Sequence, residues 1–142
     1  MRILALDYGS AHTGVAICDP TGTVVRPLTP VSDADKKVGL EAIAKLVRSE
    51  GAGAVLVGMP VSLAGTHSAQ ADATGKFIIR LKEILDVPVL SWDERFTSKL
   101  AREKARSSDS SSHSLAACIL LESFLGSREY RHFIEPSQYR KS

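Results

Sequence analysis

The sequence has no surplus of either charge: 18 lysines and arginines stand against 16 aspartates and glutamates, a net of +2. Composition alone therefore announces neither a nucleic-acid nor a membrane-surface partner. No run of about 18 apolar residues is present, which excludes a membrane-spanning helix of the usual length. Aromatics make up only 6%, and no RNA-recognition pattern with stacking aromatics appears, so base-specific reading has no support. Trp92 is expected to pack on the core. There are two cysteines, Cys18 and Cys118. Both lie among apolar neighbours without metal-ligand spacing, so they read as reduced core residues. A carboxylate at Asp7 comes too early for the apolar stretch of a signal peptide, and the expected compartment is the cytoplasm.

What remains is an ordinary globular composition, with 44% hydrophobic and 24% charged residues. A chain of 142 residues suits one domain and buries roughly two-thirds of its unfolded surface without staples. The charges are unevenly spread. Residues 1–75 carry six basic and seven acidic side chains, and residues 76–106 carry eight and five. Residues 127–142 carry four and two. The second half could thus offer a phosphate-facing surface, or simply solvated helix faces.

Residues 2–7 read as a short buried strand ending on a carboxylate. Residues 14–18 read as a second strand, and the Asp19-Pro20-Thr21-Gly22 turn leads to a third over 23–26, stopped by Pro27. These three form an antiparallel meander. Helical spacing over 33–50, with Leu40, Ile43, Leu46 and Val47, ends at Gly51. Ala54 to Val57 is an apolar strand, followed by Gly58-Met59-Pro60 and a loop over 61–66. A second helix covers about 68–85, weakened by Gly75. Residues 87–92 form a fifth strand, 97–106 a short basic helix capped by Thr97, and 113–125 a last helix. The order βββ-α-β-α-β-α-α implies an α/β fold: a mixed five-stranded sheet with helices on both faces. Residues 1–126 are expected to form the domain and 127–142 a polar C-terminal tail.

Asp7 stands at the carboxyl edge of a central strand, where open sheets place their ligands. Asp93 and Glu94 follow the fifth strand and are joined by Arg95. Carboxylates with a guanidinium beside them can hold Mg²⁺ or Mn²⁺ and contact a phosphate. The strand order brings Asp7, the 58–60 loop and Asp93-Glu94 to one edge. Divalent ions held by oxygen ligands from separate elements assist phosphodiester cleavage. His113 opens the last helix on the face shared with Ala117, Leu120 and Phe124. It reads as a metal ligand, a proton-transfer group or a boundary residue.

The run Leu4-Ala5-Leu6-Asp7-Tyr8-Gly9-Ser10, followed by Gly14-Val15-Ala16, resembles the opening of the YqgF/RuvX family. Three later segments agree in order and spacing: Val57-Gly58-Met59-Pro60 with Gly65, Asp93 to Ser98, and Ser114 to Ala117 leading into Ile119 to Leu125. The resemblance covers residues 2–126. It implies a ribonuclease H-like fold and a nuclease, described for pre-16S rRNA and earlier as a Holliday-junction resolvase. It also implies acidic metal ligands, carried over here to Asp7 and to Asp93 and Glu94. A third acidic position precedes the Ser-x-x-Ala stretch, and here it is His113. An imidazole binds Mn²⁺ acceptably and Mg²⁺ poorly, so a preference for Mn²⁺ is expected. Asp109 is an alternative ligand.

The expected reaction is metal-dependent hydrolysis in 5′-end maturation of pre-16S rRNA, with Asp7, Asp93, Glu94 and His113 as catalytic and metal-binding residues. Arg95, Lys99 and Arg102 would hold the nucleic-acid backbone. The partner is pre-rRNA, or single-stranded or branched DNA in repair and recombination, and no membrane. Junction resolution needs two active sites and hence a homodimer, for which the sequence carries no mark. Two readings of other classes stand beside this one. A half of an actin-like ATPase would share the Asp-x-Gly-Ser turn. A silent RNA-binding scaffold would explain His113.

Overall fold

The chain is described by a computed structural model over residues 1–60, 68–94 and 112–135. The expected basic helix over 97–106, the loop over 61–66, Arg95, Lys99, Arg102 and Asp109 lie outside these residues.

Strand β1 (Arg2–Asp7) is apolar on both faces, which suits only a central position. It is flanked by antiparallel β2 (His12–Cys18) and by parallel β4 (Ala52–Met59). Outside these lie antiparallel β3 (Val25–Ser32) and parallel β5 (Val89–Asp93), giving the order β3-β2-β1-β4-β5. The mixed five-stranded sheet is thus as expected.

Alternation along the strands divides the core into two layers. Leu4, Leu6, Val15, Ile17, Val55 and Val57 face helices α1 (Lys37–Ser49) and α2 (Ala69–Ile84), which contribute Ile43, Val47, Phe77 and Leu81. Ile3, Ala5, Ala16, Ala54, Leu56 and Trp92 face α3 (Ser112–Leu125), with Ala117, Leu120, Leu121 and Phe124. Small residues dominate the sheet surface on this second side, so α3 lies close against it. Among the described residues no helix is long and apolar enough to cross a membrane.

Three differences from the sequence reading have physical reasons. Strand β3 runs through Pro27 and Pro30 instead of stopping, because it is an edge strand with one side free of ladder bonds. Helix α1 starts at Lys37 and not at Asp33, because Asp33 takes φ of 50° and opens a turn closed by Lys36 N–H on its carbonyl. Within 127–142, residues 128–134 form a further helix, α4 (Arg128–Ile134), capped by Ser127. Its Tyr130 and Phe133 pack on the second core layer, and Tyr130 meets Phe124 edge-on at 5.7 Å.

Candidate active site

A cleft of about 360 Å³ opens at the carboxyl ends of β1 and β4, lined by Asp7, His12, Gly58, Gln70, Glu94 and His113 among others. Three strand ends meet there for a register reason. Leu6 pairs with Val57, Gly58 pairs with Trp92, and Asp7 pairs with Gly14. Asp7 is therefore flanked by β4 on one side and by the start of β2 on the other.

Which side chains enter the cleft follows from strand parity. Ile3 and Ala5 face α3, so Asp7, two residues on, does too. Asp7 is 5% exposed and Glu94 8%, so two carboxylates are buried on one cleft. Asp93 does not share it. It lines a separate cavity along β5 with Trp92, Phe124 and Phe133. Of the two adjacent acids, Glu94 lines the cleft with Asp7.

Backbone close approach makes the site. Gly58 leaves the space that Glu94 and Leu120 fill: a Cβ there would stand 2.9 Å from Glu94 Oε1 and 3.1 Å from both Leu120 methyls. A Cβ on Gly14 would collide with the His113 carbonyl, so the first turn of α3 rests directly on β2. Ser114, 1% exposed, fastens it: its hydroxyl accepts from Val15 N–H at 3.1 Å and donates to the Leu28 carbonyl at 2.5 Å. The serine thereby bridges β2 and β3 where their register shifts between Thr13 and Val15. The turn after β1 is held by Thr13, whose Oγ1 accepts from Gly9 N–H and donates to the Gly9 carbonyl, both at 3.3 Å. A Cβ on Gly9 would lie 2.5 Å from the His12 carbonyl.

Two cleft residues escaped sequence reading. His12, exposed at the start of β2, has its ring 5.5 Å from that of His113. The end of β1 marks only Gly14 as the start of β2, and the extension to His12 comes from pairing with β3, His12 to Ser32 and Thr13 to Val31. Gln70 donates from Nε2 to the Tyr8 carbonyl at 3.2 Å and ties α2 to the same turn. Tyr8 stacks on Phe77 at 4.4 Å. Burial, then the Asp35 charge, pushes its hydroxyl pKa up, so it stays protonated.

A divalent ion is the group such a cleft suggests, and the donors can be tested against it. Among the described residues, no three histidine, cysteine or carboxylate side chains gather closely enough to enclose an ion. Two buried carboxylates do fit a hard ion whose remaining ligands are water and substrate phosphate, the usual arrangement for Mg²⁺.

Comparison with known proteins gives the family and the fold. The sequence model of the RuvX family, described as Holliday junction resolvase, matches residues 1–127. A protein of Thermoanaerobacter pseudethanolicus named "Putative pre-16S rRNA nuclease" is 34% identical over 137 residues, covering 91% of this chain and 99% of that one. One of Syntrophus aciditrophicus with the same name is 36% identical over 132 residues, covering 88% of each. Among solved structures, Thermus thermophilus RuvC in complex with Holliday junction substrate superposes with a TM-score of 0.56 at 17% identity. That match covers 86% of this chain and 91% of that one. At this identity the likeness shows the fold, which is ribonuclease H-like.

Proposed function

Because the chain belongs to the RuvX family, we propose that it is a metal-dependent nuclease whose working carboxylates are Asp7 and Glu94. The observation that carries the reading is the burial of these two acids on one cleft at the carboxyl ends of the sheet. Asp7 and Glu94 would hold the ion, and the cleft would admit a phosphodiester to complete its coordination. The ion, when bound, acidifies a water and neutralises charge on the phosphate oxygens. Strand pairing to Gly14 sets the backbone of Asp7, and Glu94 fills the space left at Gly58. His113 borders the same cleft, and an imidazole reaching an ion on the carboxylates would favour Mn²⁺ over Mg²⁺. Asp93 lines another cavity, so Glu94 is the acid proposed to act with Asp7.

The substrate proposed is pre-16S rRNA, after the names of the curated relatives. Its compartment is the cytoplasm, and two free cysteines suit a reducing environment. Branched DNA is the second reading, favoured by the family description, and it would require a homodimer. Arg95, Lys99 and Arg102 are proposed to grip the backbone of either. An ATPase half is less well supported, since the two relatives above are spanned over 99% and 88% of their own length.

The test is cleavage of a labelled pre-16S rRNA fragment and of a four-way DNA junction, each in Mn²⁺ and in Mg²⁺. Cleavage of the RNA, faster in Mn²⁺ at subsaturating ion, is expected. Cleavage of the junction alone would select the resolvase reading. Bound RNA left intact in both ions would select a silent scaffold.

A further inference from the structure

We propose that His12 and His113 form a binding site for a transition-metal ion of the Zn²⁺ class at the mouth of the cleft. The two imidazoles come from elements about a hundred residues apart and stand with ring centres 5.5 Å apart, tilted by 36°. With Zn–N bonds of about 2.0–2.1 Å, two imidazoles on one tetrahedral ion bring their ring centres to roughly 5 Å. The pair is therefore already near a chelating separation. Both side chains can be reached, because His12 is exposed, His113 is half-buried and each lines the cleft.

The backbone beneath them is held in advance. His113 rides on the helix turn that rests on Gly14, beside the bridge made by Ser114. His12 follows the turn clamped by Thr13. Preorganisation of this kind lowers the ordering that an ion would otherwise require. The buried carboxylates Asp7 and Glu94 line the same cleft and favour cations there.

Donor chemistry selects the ion. Two imidazole nitrogens suit Zn²⁺, Ni²⁺ or Cu²⁺, whereas Mg²⁺ requires oxygen. The remaining ligands would be water or a phosphate oxygen. The site shares the cleft of the nuclease reading but not its premise, since it needs only the two imidazoles. Zn²⁺ held there would compete for His113 with an ion on the carboxylates.

The experiment titrates Zn²⁺ into the full chain, free of other divalent ions, and follows imidazole nitrogens by heteronuclear magnetic resonance beside calorimetry. The sequence has four histidines, so the responding pair can be identified. One equivalent is expected to shift His12 and His113 together, and His12→Ala to weaken Zn²⁺ binding by about tenfold or more. His12→Ala removes an exposed side chain and is expected to keep the wild-type melting temperature. Mn²⁺ binding, read by water-proton relaxation, is expected to survive His12→Ala and to fail in Asp7→Asn. That arm separates the two readings: loss of the Mn²⁺ result alone touches the nuclease proposal. No Zn²⁺ binding by the wild type, shifts confined to other histidines, or unchanged affinity in His12→Ala would overturn the imidazole site.

Discussion

Gly58 and Glu94 share one space: a methyl group on the glycine would stand 2.9 Å from Oε1 of the glutamate, with Leu120 closing the other side at 3.1 Å. The carboxylate therefore occupies its place in the cleft only because position 58 has no side chain. Gly58→Ala is expected to displace the carboxylate. Overpacking should lower stability by about 1–2 kcal/mol, with a larger proportional loss of cleavage. Paired melting and rate measurements check this. A variant with full activity would show that Glu94 has no fixed role.

Ser114 is the second point where packing sets the site. Its hydroxyl satisfies the buried Val15 N–H and the partly buried Leu28 carbonyl. Ser114→Ala leaves both without that partner and is expected to cost about 1–3 kcal/mol in urea unfolding. An unchanged denaturation midpoint would mean that the bridge contributes nothing to docking α3 on β2.

Asp19 gives a pH signature remote from the cleft. Its carboxylate accepts from Thr21 Oγ1 at 2.6 Å, Thr23 N–H at 2.7 Å and Val24 N–H at 2.9 Å. The Thr21 hydroxyl leads these contacts in lowering its pKa to about 2. A carboxylate depressed in the folded state stabilises above its ordinary value of about 3.9 and loses that contribution as pH falls towards the folded value. The melting difference between wild type and Asp19→Asn is expected to hold near neutrality and to shrink between about pH 4 and pH 2. A difference independent of pH over that range would rule the turn out as its source.

The sequence made much of this fold legible because strand β1 is apolar throughout and ends on a carboxylate, and because α1, α2 and α3 keep helical spacing. It could not choose between Asp93 and Glu94, since adjacent residues differ only in the face they take, and the face depends on where β5 begins and ends. In the structure Glu94 lines the cleft with Asp7, and Asp93 lines the cavity along β5. Pro27 misled because a proline stops a central strand but not an edge strand, and edge position is a property of the sheet. His12 is not legible as a cleft residue because its neighbour there, His113, lies about a hundred residues away. Tyr130 and Phe133 carry the anchoring of α4, but two apolar residues among charged ones give little periodicity to read.

The most direct measurement is the rate of Mn²⁺-dependent cleavage of a pre-16S rRNA fragment by wild type and by Asp7→Asn, with melting curves for both. Asp7 supplies one of the two buried carboxylates, and loss of an ion worth several kcal/mol to the transition state corresponds to a fall of about a thousandfold or more. The expected result is that fall, in a variant that still unfolds in one cooperative transition. Cleavage by a folded Asp7→Asn at the wild-type rate would contradict the assignment of the cleft as the active site.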